Sequence, residues 1–168
     1  MSSLIETPGC FPNYSVWNNL MLQAINLSIP NPEDEVRKVL TLVRMEGAAG
    51  NKFKNCSLGM KQRIGIAMAL LGDPALLLLD EPINGLDTDG MRIMREILMD
   101  LAKQGKTIVI SSHILGELEK IATHYGVIRQ GKLVMELSSS DMDSRSRMFI
   151  SLKTKDMDKA FETLNKHY

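Results

Sequence analysis

Residues 76–87, "LLLLDEPINGLD", constrain the fold of this chain more than any other stretch. Four leucines follow one another with no polar alternation, the pattern of a parallel strand buried on both faces, and the run stops on two adjacent acids, Asp80 and Glu81. Such a strand delivers two carboxylates to its carboxyl end, where doubly wound α/β sheets bind their ligands. Before it, "CSLGMKQRIGIAMALLG" opens a strongly apolar helix that Gly72, Asp73 and Pro74 end. After it come a helix over residues 89–104 that Gly105 terminates, a second central strand "KTIVISS" (106–112), a helix over "LGELEKIATH", and a strand-turn-strand, "GVIRQGKLVME". Strand and helix alternate throughout, which predicts an open parallel α/β sheet.

Upstream, "SSLIE" (2–6) reads as a short strand running into the loop "TPGCFPN". Ser15 can cap a helix with Trp17, Leu20, Met21 and Ala24 at buried spacing. "IPNPEDE" then stops one helix and starts another: Asn31 is placed to be the N-cap, Pro32 suits the first helical position, and Glu33, Asp34 and Glu35 complement the positive end of the dipole. Val36, Val39, Leu40 and Val43 form its inner face, and "EGAAGNKFKN" is a loop. At the other end, "SSSDMDSRSR" (138–147) is polar and linker-like, with "MFISLK" and "DKAFETLNKHY" beyond it as one strand and one helix of a small appended unit. Residues 1–137 are thus expected to form one domain, and 138–168 a linker plus the start of a small C-terminal βα extension.

The 20 basic and 20 acidic side chains cancel, so the charge balance draws the chain neither to nucleic acid nor to an anionic membrane surface. "IAMALL" and "ALLLL", the longest purely apolar stretches, fall far short of the roughly 18 residues of a membrane-spanning helix. The opening "MSSLIETPGC" has neither the basic flank nor the apolar core of a secretory signal, and Cys10 and Cys56 read as free small hydrophobes. A reduced, cytoplasmic setting is the expectation. Met91 and Met94, with Leu98 and Leu101, fall on one helical face and are assigned to core packing.

The chemistry-bearing residues come in one order. "SLGMKQR" puts Ser57 and Gly59 at the start of a helix, where free backbone N–H groups and the dipole suit a terminal phosphate. The place of Asp80 at a strand end resembles that of the Mg²⁺-holding acid of P-loop ATPases, where an adjacent acid such as Glu81 can polarise the attacking water. His113 ends the strand that sheet logic sets beside "LLLLD", within reach of a phosphate or that water. Each feature alone has a plainer reading: a strand-end acid turns the chain to solvent, and a Ser-x-Gly start caps a helix. Their spacing, with a Gly-Leu-Asp loop between, argues for the chemical one. His124 and His167 have no evident partner in the sequence.

These motifs resemble those of the ATP-binding subunit of an ABC transporter. "SLGMKQR" is similar to the family's signature, "LLLLDEPINGLD" to its Walker B motif and D-loop, and "ISSHILGELEKIATHYGVIRQGKLV" to its switch-histidine region. With "SLIETPGCFPNYSVWNNL" before it, the variant signature is most similar to exporters of the bacitracin-resistance and lantibiotic-protection type; the resemblance covers residues 2–137. It implies that Asp80 holds Mg²⁺ through water, Glu81 is the general base, His113 senses the γ-phosphate, Asp87 lies in the loop that communicates across a dimer, and Ser57 and Gly59 touch the γ-phosphate of ATP. Glu6 stands where the family usually has its Q-loop glutamine, and a carboxylate there can still approach Mg²⁺. Leu58 and Met60 replace a glycine and a glutamine of the commonest signature.

A phosphate-binding P-loop needs Gly, four residues, then Gly-Lys-Ser or Gly-Lys-Thr between a strand and a helix. Gly105-Lys106-Thr107 follows a helix, opens a strand and has Asp100 where the first glycine belongs; Gly131-Lys132 is followed by Leu133. The resemblance therefore implies a partial P-loop NTPase (RecA-like) parallel sheet with a helical signature subdomain, missing the Walker A strand and truncated at its N-terminus. The implied cofactors are ATP and Mg²⁺. The implied partners are a second ATP-binding subunit, since nucleotides in this family are sandwiched between two subunits, and a membrane-spanning permease, with the chain on the inner face of the membrane. A non-catalytic partner subunit lending only its signature, and an inert gene fragment, stay open as alternatives. A DNA-repair or chromosome-organising ATPase would want coiled-coil heptads or a basic face, and the sequence has neither.

Overall fold

A computed structural model of the chain describes residues 1–5 and 8–145. The chain packs as two compact units, residues 1–122 and the residues from Thr123 onward. The first contains β1 (Ser2–Leu4), α1 (Val16–Asn26), α2 (Pro32–Leu42), α3 (Leu58–Leu70), β2 (Leu76–Asp80), α4 (Thr88–Lys103), β3 (Thr107–Ser111) and the single turn α5 (Leu115–Leu118). β1, β2 and β3 form a parallel sheet with β2 central; Leu4 pairs with Leu79, and Asp80 with Ser111. This is the α/β architecture with a parallel sheet that the sequence predicts.

Strand β2 departs from expectation in one respect. Leu77 and Leu79 are fully buried, whereas Leu76 and Leu78, which the pleat turns to the other face, are only half covered. The buried face joins one core with Val16 and Leu20 of α1, Val36 and Val39 of α2, Ile64 and Ile66 of α3, and Met94, Ile97 and Leu101 of α4. Where α3 crosses β1 the fit is tight: a methyl on Gly65 would lie 2.7 Å from a Leu4 methyl.

Three helix starts use the caps the sequence offers. Ser15 accepts the Asn18 N–H, Ser57 the Met60 N–H, and Asp87 the Gly90 N–H. Asn31 does not cap through its side chain: it sits in the left-handed region (φ 54°), leaving Pro32 and the three acids after it to define the start of α2. The segment "EGAAGNKFKN" is a loop with two single 3₁₀ turns, Glu46–Ala48 and Phe53–Asn55, and its backbone closes the start of α1 through Asn51 O to Val16 N (2.9 Å) and Ala49 O to Trp17 N (2.9 Å). Helix α5 is far shorter than "LGELEKIATH" suggests. Past Leu118 three- and four-residue bonds mix, Lys120 N to Glu117 O and Ile121 N to Leu118 O beside Ala122 N to Leu118 O, and the regular helix ends there.

The second unit holds an antiparallel hairpin, β4 (His124–Arg129) and β5 (Lys132–Ser138), joined by Gln130 and Gly131, both at positive φ as a two-residue hairpin turn requires. It is followed by α6 (Ser139–Arg145). This helix corrects the linker reading of "SSSDMDSRSR". The Ser138 hydroxyl accepts the Asp141 N–H (3.1 Å), and the Asp141 carboxylate accepts the Ser138 N–H (3.2 Å), a reciprocal capping box spelled Ser-x-x-Asp. The strand and helix expected at "MFISLK" and "DKAFETLNKHY" lie outside the described residues.

Candidate active site

The parallel register of β2 and β3 sets Ser111 directly beside Asp80 at the carboxyl end of the sheet. The Ser111 hydroxyl donates to Asp80 Oδ1 and accepts the backbone N–H of Glu81 at 2.9 Å. Glu81 leaves the strand at φ 47°, a left-handed conformation uncommon for a residue with a side chain, and this swings its carboxylate toward the end of β3. There His113 Nδ1 lies 3.0 Å from each Glu81 oxygen. A carboxylate is acceptor-only, so Nδ1 carries the proton in this contact. Asp80, Glu81 and His113 thus converge on one end of the sheet, with Ser111 joining the first two.

The loop after the acids is fixed by Ile83, which is buried, and by turn bonds from Asn84 N to Glu81 O and Leu86 N to Ile83 O. Gly85 takes φ 71°, and a methyl there would lie 3.0 Å from the side chain of Leu58; one on Gly59 would lie 3.6 Å from Leu86. The start of α3, with Ser57 and Gly59, therefore abuts the Gly-Leu-Asp loop. Asp87 spends its carboxylate on the N-cap of α4. Glu6 lies outside the described residues.

Two arginines bind these pieces together. Arg63 of α3 donates to the carbonyls of Gly59 (3.4 Å), Val43 (3.5 Å) and Arg44 (3.0 Å), fastening the start of α3 to the end of α2. Burial, then the nearby Arg44 charge, lowers the pKa of the Arg63 guanidinium. Arg44 in turn reaches Glu96 and Asp100 on α4; its hydrogen bond to Glu96 raises the arginine's pKa and holds the Glu96 carboxyl below its ordinary range. Cys10 and Cys56 are free thiols, and burial, then the charge on Cys56, pushes Cys10 up to about 11. Neither is a poised nucleophile.

Sequence reasoning missed Ser111, Arg44, Arg63 and Asn19, whose buried amide accepts the Phe11 N–H (2.7 Å) and donates to the Ser15 carbonyl (2.9 Å) to shape the loop before α1. For Ser111 the signal was present, since counting back from the ends of two paired strands aligns it with Asp80. The others depend on contacts between segments distant in sequence.

No group of three or more His, Cys, Asp or Glu among the described residues forms a metal cage. Mg²⁺ does not need such a cage: it keeps several waters and takes one or two carboxylates plus substrate phosphates. Asp80 fits: it is a hard oxygen donor, exposed at a strand tip, with Oδ1 on Ser111 and no partner for Oδ2 among the described residues.

A family model for ABC transporters matches residues 1–84. The bacitracin transport ATP-binding protein BcrA of Bacillus licheniformis is 40% identical over 171 residues, covering 100% of this chain and 55% of that protein. The lantibiotic transport ATP-binding protein SrtF of Streptococcus pyogenes is 38% identical over 149 residues, covering 89% of this chain and 64% of that protein. The chain spans about half the length of the bacitracin transport relatives it matches. Among solved structures, cbiO1 from Clostridium perfringens, part of the ABC transporter complex cbiONQ, superposes with a TM-score of 0.77 at 22% identity, covering 99% of this chain and 63% of that one. An ATP-binding cassette of another ABC transporter, in its ADP conformation, gives 0.74 at 21% identity, covering 85% of this chain and 63% of that one.

Proposed function

The chain belongs to the ABC transporter family, and from that premise we infer that its 168 residues are part of an ATP-binding subunit hydrolysing MgATP to drive export of, or protection against, a bacitracin- or lantibiotic-like antimicrobial peptide. The observation that carries this reading is the hydrogen-bonded run Asp80–Ser111–Glu81–His113 at the carboxyl end of a parallel sheet. The relatives named for bacitracin and lantibiotic transport support the substrate class.

Mg²⁺, when bound, would supply positive charge against the charge that develops on the triphosphate. Asp80 would hold it through Oδ2 and intervening water. Glu81 would accept the proton of the attacking water as that water's oxygen bonds to the γ-phosphorus and the bond to the ADP oxygen breaks. His113, donating from Nδ1 to the Glu81 carboxylate, would orient that base and sense the γ-phosphate. The free amides at the start of α3, around Ser57 and Gly59, would receive a γ-phosphate cradled by a second ATP-binding subunit, with Asp87 steadying the loop between. Glu6 would add a carboxylate on the Mg²⁺ side.

No Gly-x₄-Gly-Lys-Ser/Thr occurs within the 168 residues. The permease would dock around the loop before α1, where Phe11 and Tyr14 expose 59% and 48% of their surface with rings 5.3 Å apart. No described helix is long and apolar enough to cross a membrane. The proposed location is therefore peripheral, on the cytoplasmic face, through that permease.

The test is ATP turnover by the assembly purified with its permease. Glu81→Gln should lower kcat by about a hundredfold or more, the contribution of a general base. Turnover unaffected by that change would refute the assignment. The capped, exposed start of α3 also suits a non-catalytic subunit that lends only its signature. In that case Ser57→Arg would abolish the turnover of a mixed assembly, and Glu81→Gln would not.

A further inference from the structure

We propose that Ser111 is a positioning residue for the metal–nucleotide chemistry, one hydroxyl setting the carboxylate of Asp80 and the backbone of Glu81 at the same time. The proposal rests on the ATPase reading above and adds to it a role for Ser111, to which that reading assigns none.

A serine hydroxyl has one proton to give and lone pairs to receive. In Ser111 the proton goes to Asp80 Oδ1, and the lone pair takes the Glu81 N–H at 2.9 Å. The first bond fixes the rotation of the Asp80 carboxylate and leaves Oδ2 as its open oxygen. The second meets the N–H of a residue held at φ 47°, where side-chain-bearing residues are rarely found, and so favours the backbone turn that carries Glu81 to His113. Sheet register, not chance proximity, makes the contact, because Asp80 and Ser111 are partners at the end of the β2–β3 ladder. The neighbouring Ser112 acts elsewhere, its hydroxyl accepting the Ile114 N–H at 3.1 Å and turning the chain after β3.

Thr and Val have the same shape and the same strand preference, and differ at this site only in the hydroxyl. Ser111→Thr and Ser111→Val therefore separate hydrogen bonding from packing. Two readouts are taken on the purified assembly: amide hydrogen exchange at Glu81, and ATPase rate as a function of Mg²⁺ concentration at saturating ATP. Ser111→Val should speed Glu81 exchange about tenfold, raise the Mg²⁺ needed for half-maximal rate about tenfold and lower kcat, while KM for ATP stays within about twofold. Ser111→Thr should keep the wild-type values in all of these.

Unchanged exchange in the Val variant overturns the proposal whatever the activity. So does faster exchange with an unmoved Mg²⁺ dependence, or a Thr variant as impaired as the Val one. Failure of the underlying ATPase reading shows separately, as Glu81→Gln turnover equal to wild type.

Discussion

Gly90 carries more consequence than its place in the first turn of α4 suggests. An added methyl would sit 2.7 Å from Asp87 Oδ1, the oxygen that caps the helix, and 3.4 Å from Leu86. Two effects oppose each other in Gly90→Ala. Alanine improves helix propensity by up to about 1 kcal/mol. Displacing the cap costs about 1–2 kcal/mol, and the overlap adds to it. The loss wins, so Gly90→Ala should lower the unfolding free energy by a net of about 1 kcal/mol, read as a lower denaturant midpoint of the assembly, against the usual sign for a glycine in a helix. An increase in stability would show that Asp87 is free to leave the cap. The same local logic explains why the cap at Ser57 was visible in the sequence: a cap needs only residues within one turn of each other.

Among elements, the close crossing of α3 over β1 is the most exacting. Gly65 faces Leu4, whose methyls would stand 2.7 and 3.0 Å from an added Cβ, with Pro8 at 3.3 Å. Leu4 is 5% exposed and cannot yield into solvent. Gly65→Ala should therefore cost about 1–3 kcal/mol through overpacking, partly offset by propensity. The paired change Gly65→Ala with Leu4→Ala should be less harmful than the sum of the two singles. A double-mutant cycle with no coupling would place the two elements farther apart than the structure does. Elements also show where sequence patterning misleads. "LGELEKIATH" has helical spacing but gives one regular turn, its bonds after Leu118 mixing three- and four-residue spacing. "SSSDMDSRSR" has linker composition but starts a helix, because Ser138 and Asp141 cap each other.

At the scale of the whole molecule, β3 pairs with β2 along one edge and has no strand on the other among the described residues. Val109, near its middle, is 53% exposed. In the second unit the hairpin stands as a two-stranded sheet exposing Val127, Ile128, Leu133, Val134 and Met135. Open strand edges template association, and a lone two-stranded sheet is marginal in water. The 168-residue polypeptide in isolation should accordingly melt without a sharp cooperative transition and associate as its concentration rises. Val109→Lys should reduce that association. Calorimetry and light scattering decide it, and a sharp melt independent of concentration would contradict the expectation.

The sequence by itself determined the apolar strand, the two acids at its end, the helix starts at Ser15 and Ser57, and the parallel α/β class. Each is written in neighbouring residues, as unbroken apolar character or as a capping side chain three positions from the N–H it accepts. Only the tertiary structure decided that Ser111 bridges Asp80 and Glu81, that Arg63 and Arg44 tie α3 to α2 and α4, and that Gly65 must lack a side chain to admit Leu4. Those contacts join segments 19 to 61 positions apart, from Arg44 and Arg63 to Leu4 and Gly65. Their geometry is set by strand register and by how helices settle on a shared core, which no local pattern encodes.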